Sequence, residues 1–167
     1  MNDKTEFVVR AALIGAGATA VMDVWGVAQR AMGIKTLDFA LLGRWVGHVP
    51  RGQWFHTSIA RATPVSGELM IGWATHYAIG VTFAALLLAV YGLEWAHQPT
   101  LLPALAIGLV TAVAPLLILQ PALGAGIFSS NTPAPLFNTL KSIATHAIFG
   151  LGLYASARVA ALVGNAS

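Results

Sequence analysis

The chain has no cysteine. Disulfides, thiolate metal sites and cysteine nucleophiles are therefore excluded together. Charge is nearly as scarce: only 9% of the residues are Asp, Glu, Lys or Arg, against about 25% in a soluble globular domain. So few charges cannot cover a water-facing surface. No run of consecutive basic residues is present, so the net charge of +3 gives no footing for nucleic acid and fits anionic lipid headgroups better. No His-x3-His or His-Glu-x-x-His spacing occurs, and no nucleophile–base–acid set is recognisable, which makes an enzyme the less favoured class.

What fills the chain instead is apolar. Hydrophobic residues make up 57%, with a mean hydropathy of +0.74. Spanning hydrocarbon takes about 20 such residues, and four segments supply them: 7–30, 68–91, 101–123 and 137–163. The expectation is an all-α integral membrane protein, one domain over 1–167, folded as a four-transmembrane-helix bundle with the lipid bilayer as its partner. The first segment resembles a signal peptide in its basic start, but Asp23 interrupts it and its length suffices to span, so it reads as a retained helix. Gly92–Thr100 and Gly124–Leu136 read as short loops between antiparallel neighbours. "NTPAPL" offers an N-cap at Asn131 or Thr132 followed by proline. Pro115 and Pro121 kink or end the third span. Glu94 and Trp95 read as an anchor at the aqueous edge.

The segment 31–67 differs. Lys35, Arg44, Arg51 and Arg61 alternate there with Trp45, Trp54 and Phe55, and His48 and His56 read as interfacial polar groups. Asp38 can cap a short amphipathic helix, "DFALLGRWVGH". Such a segment suits the interface plane, with rings at headgroup depth and cations on phosphates. It is either a plain anchor or an anionic-headgroup or gating site. Arg30, Lys35, Arg44, Arg51, Arg61 and Lys141 lie on the side of this loop, and Lys4, Arg10 and Arg158 on the other. The excess places the loop in the cytoplasm and both termini outside.

Two short patterns recur. "TAVMD" at Thr19–Asp23 is echoed by "TAVAP" at Thr111–Pro115, and "ATHYAIG" at Ala74–Gly80 by "ATHAIFG" at Ala144–Gly150. Spans one and two thus resemble spans three and four. Two-helix units enter from the same side, which makes a parallel repeat. His76 lies eight residues inside its span, His146 about nine, and Asp23 seven from the end of the first. At 1.5 Å per residue all three sit roughly 10–14 Å from the loop side. Thr19, Thr75 and Thr145 lie near that depth, and Gln120 nearer the surface. Gly72, His76 and Gly80 share a stripe, as do Ser142, His146 and Gly150, and Gly15, Thr19 and Asp23; small residues there let helices approach and turn the ionisable groups inward.

Three readings of this layer stand. Histidine titrates near neutrality, raised by a neighbouring Asp and lowered by burial, so the layer suits a proton-linked transporter of a small solute, which leads. It can instead be structural, fixing helix packing only. Third, two histidines and a carboxylate can hold a metal, or two histidines haem, with His76, His146 and Asp23 as ligands; no cofactor is otherwise expected. A single four-helix unit leaves little room for a path, so transport implies a homo-oligomer.

The stretches "ATAVMDVWG" (Ala18–Gly26), "LDFALLGRWVGHVPRG" (Leu37–Gly52), "GWATHYAIG" (Gly72–Gly80), "LILQPALGAGIFSSNTP" (Leu117–Pro133) and "ATHAIFGLGLY" (Ala144–Tyr154) together resemble a family of bacterial inner-membrane proteins known only as domain of unknown function 2938. The resemblance implies a four-span inner-membrane protein and transfers no activity.

Overall fold

The computed structural model describes residues 2–164. Among these residues the α-helices are α1 (Asp3–Ala31), α2 (Phe39–His48), α3 (Glu68–His97), α4 (Leu101–Thr111), α5 (Gln120–Leu123) and α6 (Pro135–Gly164). Between α4 and α5 the chain continues without interruption through a π-helical stretch, Ala114–Leu119. Pro115 has no N–H to return to the Thr111 carbonyl. The turn widens instead, and the Gln120 N–H reaches back five residues to the Pro115 carbonyl. Four helical segments are long and apolar enough to cross a membrane: Asp3–Ala31, Glu68–His97, Leu101–Leu123 and Pro135–Val163.

Helices that are apolar all round gain little by hiding one face, so their association depends on how closely they pack. Glycine sets that distance here. A Cβ on Gly15 would run into the backbone of Gly80 and Val81, and one on Gly80 into the Thr19 hydroxyl. This locks α1 against α3. Gly108 meets Gly150 and the His146 carbonyl in the same way and locks α4 against α6. α1 also runs along α6, with Gly17 over Ser156 and Gly152 over Ala18. α3 and α4 are consecutive yet touch little. Ile14, Ala18, Ala84, Leu87, Leu88, Phe149, Leu153 and Ala157 form the core. Val8, Val24, Met70, Leu102 and Val159 face outward.

α2 forms where its cap allowed it, with Asp38 Oδ1 accepting from the Ala40 N–H at 2.9 Å. It does not lie apart from the bundle. It runs antiparallel to the start of α3, so close that a Cβ on Gly43 would strike the Glu68 carbonyl and one on Gly72 the Phe39 carbonyl. Gly72 therefore faces α2, while Gly80, two turns on, faces α1. The Arg44 guanidinium closes this hairpin. It donates to both Glu68 carboxylate oxygens, Nε to Oε2 at 2.9 Å and Nη2 to Oε1 at 2.7 Å, and Nη1 reaches the Ala60 carbonyl at 3.1 Å. The hydrogen bond to Glu68 holds Arg44 above its ordinary pKa.

Several boundaries move. α3 extends to His97 because Gly92 adopts φ 79° and re-aims the chain without ending it. The following turn buries Trp95, whose Nε1–H donates to the Thr100 carbonyl at 3.3 Å, so Trp95 is no aqueous-edge anchor. His97 joins α3 to α1: its Nε2 lies 2.9 Å from Glu6 Oε1, and Arg10 Nη2 donates to its Nδ1 at 3.2 Å. α6 starts at Pro135, one proline later than the cap expectation. Asn131 and Thr132 instead stabilise the preceding turn, Thr132 donating to the Ser129 carbonyl at 2.8 Å. That turn carries Phe128 (φ 51°) and Ser129 (φ 58°) in the left-handed region.

The α2–α3 crossing yields a test. Gly72→Ala places a methyl group where the Phe39 carbonyl stands, and overpacking of this kind costs about 1–3 kcal/mol. The variant is expected to melt at a lower temperature in detergent than the wild type.

Candidate functional site

Asp23 faces α3 because it lies on the same stripe of α1 as Gly15 and Thr19, the residues that make the crossing. His76 precedes Gly80 by one turn and meets it there. His76 Nε2 lies 2.9 Å from Asp23 Oδ1. A carboxylate only accepts, so Nε2 carries the proton in this contact. The second carboxylate oxygen, Oδ2, accepts from the Tyr77 hydroxyl at 3.0 Å. Both side chains of the pair are largely shielded, His76 at 15% and Asp23 at 19% exposure. His76 Nδ1 has no hydrogen-bond partner among the described residues. The Phe39 ring of α2 covers the imidazole at a centroid distance of 4.5 Å, and Trp73 stacks on Phe39 at 4.2 Å.

His146 takes a different partner. Its Nδ1 lies 3.1 Å from Thr111 Oγ1, and that hydroxyl spends its single proton on the Gly108 carbonyl at 2.8 Å. Nδ1–H must therefore be the donor, which leaves Nε2 as a lone pair. Phe83 and Phe149 flank the ring. The expected trio is thus two pairs: Asp23 joins His76, and His146 joins Thr111. The reason is Gly150, which seats α6 against α4 one turn beyond His146 and turns the ring toward Thr111. Among the described residues no three His, Asp or Glu side chains group so as to hold a metal ion, and Asp23, His76 and His146 form no shared ligand set.

The other expected members separate in the same way. Thr19 lies buried at the crossing and donates to the Gly15 carbonyl at 2.8 Å. Thr145 donates back to the Lys141 carbonyl at 2.8 Å, the ordinary helical outlet for a threonine. Thr75 makes no side-chain bond to Asp23 or to either histidine. Gln120 Oε1 accepts from Ser129 at 2.9 Å and ties α5 to the strained turn.

Within the basic loop, only part is free to meet lipid or solute. Arg44 is committed to Glu68. Trp45 donates to the Trp54 carbonyl at 2.9 Å. His48 is buried, with Gln53 Oε1 at 2.6 Å and the Thr63 carbonyl at 2.9 Å, so it is a structural post. The His56 ring stands edge-on to His48 at 5.2 Å, and both its nitrogens are buried without a partner. Arg51, Arg61 and Trp54 are exposed.

Tyr77 and Thr111 are the members that spacing alone did not assign. Tyr77 carried a signal, since a tyrosine within an apolar span needs a hydrogen-bond partner for its hydroxyl. Thr111 was visible only as a repeat residue.

A double-mutant cycle tests the pairing. Asp23→Asn and His76→Ala are expected to couple in thermal stability by about 0.6–1.7 kcal/mol. Tyr77→Phe should cost about 1 kcal/mol. His146→Ala breaks the bond to Thr111 and not the one to Asp23, so the Asp23–His76 coupling should persist.

The family model described as "Protein of unknown function (DUF2938)" matches residues 12–160, nearly the whole chain. No curated protein and no solved structure matches it.

Proposed function

Because the chain belongs to this family of unknown function, no activity is inherited, and we propose one from the site itself: a multi-pass membrane protein in which proton binding at Asp23–His76 is linked to passage of a small solute. The observation that carries this reading is the His76 imidazole, held at 2.9 Å by one carboxylate oxygen with its second nitrogen unpartnered. Proton uptake at that nitrogen needs no bond to break, and it converts a hydrogen bond into an ion pair. An ionisable pair on helices long and apolar enough to cross a membrane is a functional candidate on energetic grounds.

On this reading the chain sits in a bacterial inner membrane, with 31–67 toward the cytoplasm and both termini outside. The two glycine crossings, Gly15–Gly80 and Gly108–Gly150, support descent from a duplicated helix pair. Only the first copy keeps a carboxylate, Asp23; the second has Pro115 in its place. A homo-oligomer would supply the room that one bundle lacks.

A structural role is the second reading, and one observation favours it: both Asp23 oxygens are already satisfied inside the chain, by His76 and Tyr77. Proteoliposomes separate the two. If the pair carries protons, Asp23→Asn and His76→Ala abolish pH-gradient-driven proton uptake while the proteins remain folded, and Thr111→Val retains it. Loss of stability with unaltered uptake in the folded fraction would sink the transport reading.

A further inference from the structure

Beside the Phe39–Trp73 ring pair, the loop joining α1 to α2 forms one wall of an open cleft of about 610 Å³. Its floor and walls are amphipathic. Phe39, Trp73 and Leu69 supply an apolar surface, and Arg30 and Lys35 supply two cations. One acid, Asp38, also lines it, with one oxygen capping α2 by accepting from the Ala40 N–H, so the lining holds one cation more than acid. Arg30 spends one donor, Nη1, on Thr36 at 2.8 Å, and its remaining donors have no partner among the described residues. The Lys35 ammonium likewise has none. Lys141 of α6 pins this loop by donating to the Lys35 carbonyl at 2.6 Å. The cleft is therefore anchored to α6 as well as to α1 and α2.

We propose that this cleft binds an amphipathic anion, its phosphate or carboxylate held by Arg30 and Lys35 and its apolar body laid on Phe39 and Trp73. The proposal deepens the transport reading and rests on it for one point only, that the occupant is the solute whose passage follows protonation. Phe39 then touches both the occupant and His76. A charged headgroup paired with two cations is favourable at a lipid surface, at about fivefold in affinity per cation. The same chemistry has two sources, an anionic phospholipid or a free amphipathic acid.

The test reads Trp73. The full chain is placed in phosphatidylcholine vesicles containing brominated phosphatidylglycerol or brominated phosphatidylcholine, and the Trp73 signal is taken as wild type minus Trp73→Phe. Phosphatidylglycerol is expected to quench more strongly at equal mole fraction. Arg30→Ala and Lys35→Gln should each lower its apparent affinity about fivefold. Lys35→Gln changes an exposed side chain and keeps the measurement decisive if Arg30→Ala fails to fold. Arg51→Ala and Arg61→Ala, exposed cations of the same long loop outside the cleft, should change nothing. Equal quenching by the two lipids, or equal losses from the Arg51 and Arg61 variants, overturns the site in favour of general surface attraction. Decanoate then separates the sources. Relief of quenching assigns the cleft to a free amphipathic acid, and its absence overturns the solute assignment and leaves the lipid. Asp23→Asn should keep the anion preference, since binding is read without a proton gradient. Failure of the cleft and failure of the proton site are thus told apart.

Discussion

A carboxylate set eight residues back from the end of an apolar helix has to be answered from within the chain, and Asp23 is answered twice, by His76 and by Tyr77. That requirement constrains much of the architecture around it. His76 can reach Asp23 only if α1 and α3 approach to backbone distance, which Gly15 and Gly80 permit. Phe39 can cover His76 only if α2 lies equally close to α3, which Gly43 and Gly72 permit. Arg44 then fastens that second approach to the first residue of α3. Unpaired, the carboxylate would cost far more than the pair returns, so the glycines are as much a part of the site as the residues that titrate.

The sequence disclosed the four long helices, the amphipathic helix with its Asp38 cap, and the inward stripes. These depend on hydropathy and on residue spacing along one helix, and both are local. The contact of Asp23 with His76 was legible because each is an ionisable residue with nowhere else to turn. The place of His146 was not, because its direction depends on which neighbour Gly150 seats against. The stripe of Gly72, His76 and Gly80 shows the limit well. It was a true stripe, yet its two ends serve different helices. A charge count is blind to pairing in the same way: Arg44 counts as a loop cation in the sequence, and only the fold reveals that it pairs with Glu68. Gly92 could have been either a stop or a hinge, and only the buried Trp95 beyond it decides.

The two histidines that look equivalent in sequence are chemically unlike. His76 presents Nε2–H to a carboxylate and leaves Nδ1 open, whereas His146 presents Nδ1–H to a hydroxyl and leaves Nε2 open. The tautomers are opposite because the partners differ in what they can accept. If the helix pairs descend from one ancestor, exchange of Asp for Pro at the fourth position after the shared threonine divided them into an acidic half and a neutral half.

The π-helical stretch bears on how this chain tolerates length change. A π turn holds one residue more than the α turn it replaces. Removing a single residue between Ala114 and Leu119 would let the segment relax to regular α geometry. Everything downstream would keep its orientation, because one residue fewer in the narrower turn covers the same arc. Gln120 would stay opposite Ser129, and the left-handed turn at Phe128–Ser129 would keep the side chain that holds it. The segment therefore acts as a phase adjuster: it absorbs one surplus residue and so preserves the rotational position of the last helical turn before the loop to α6.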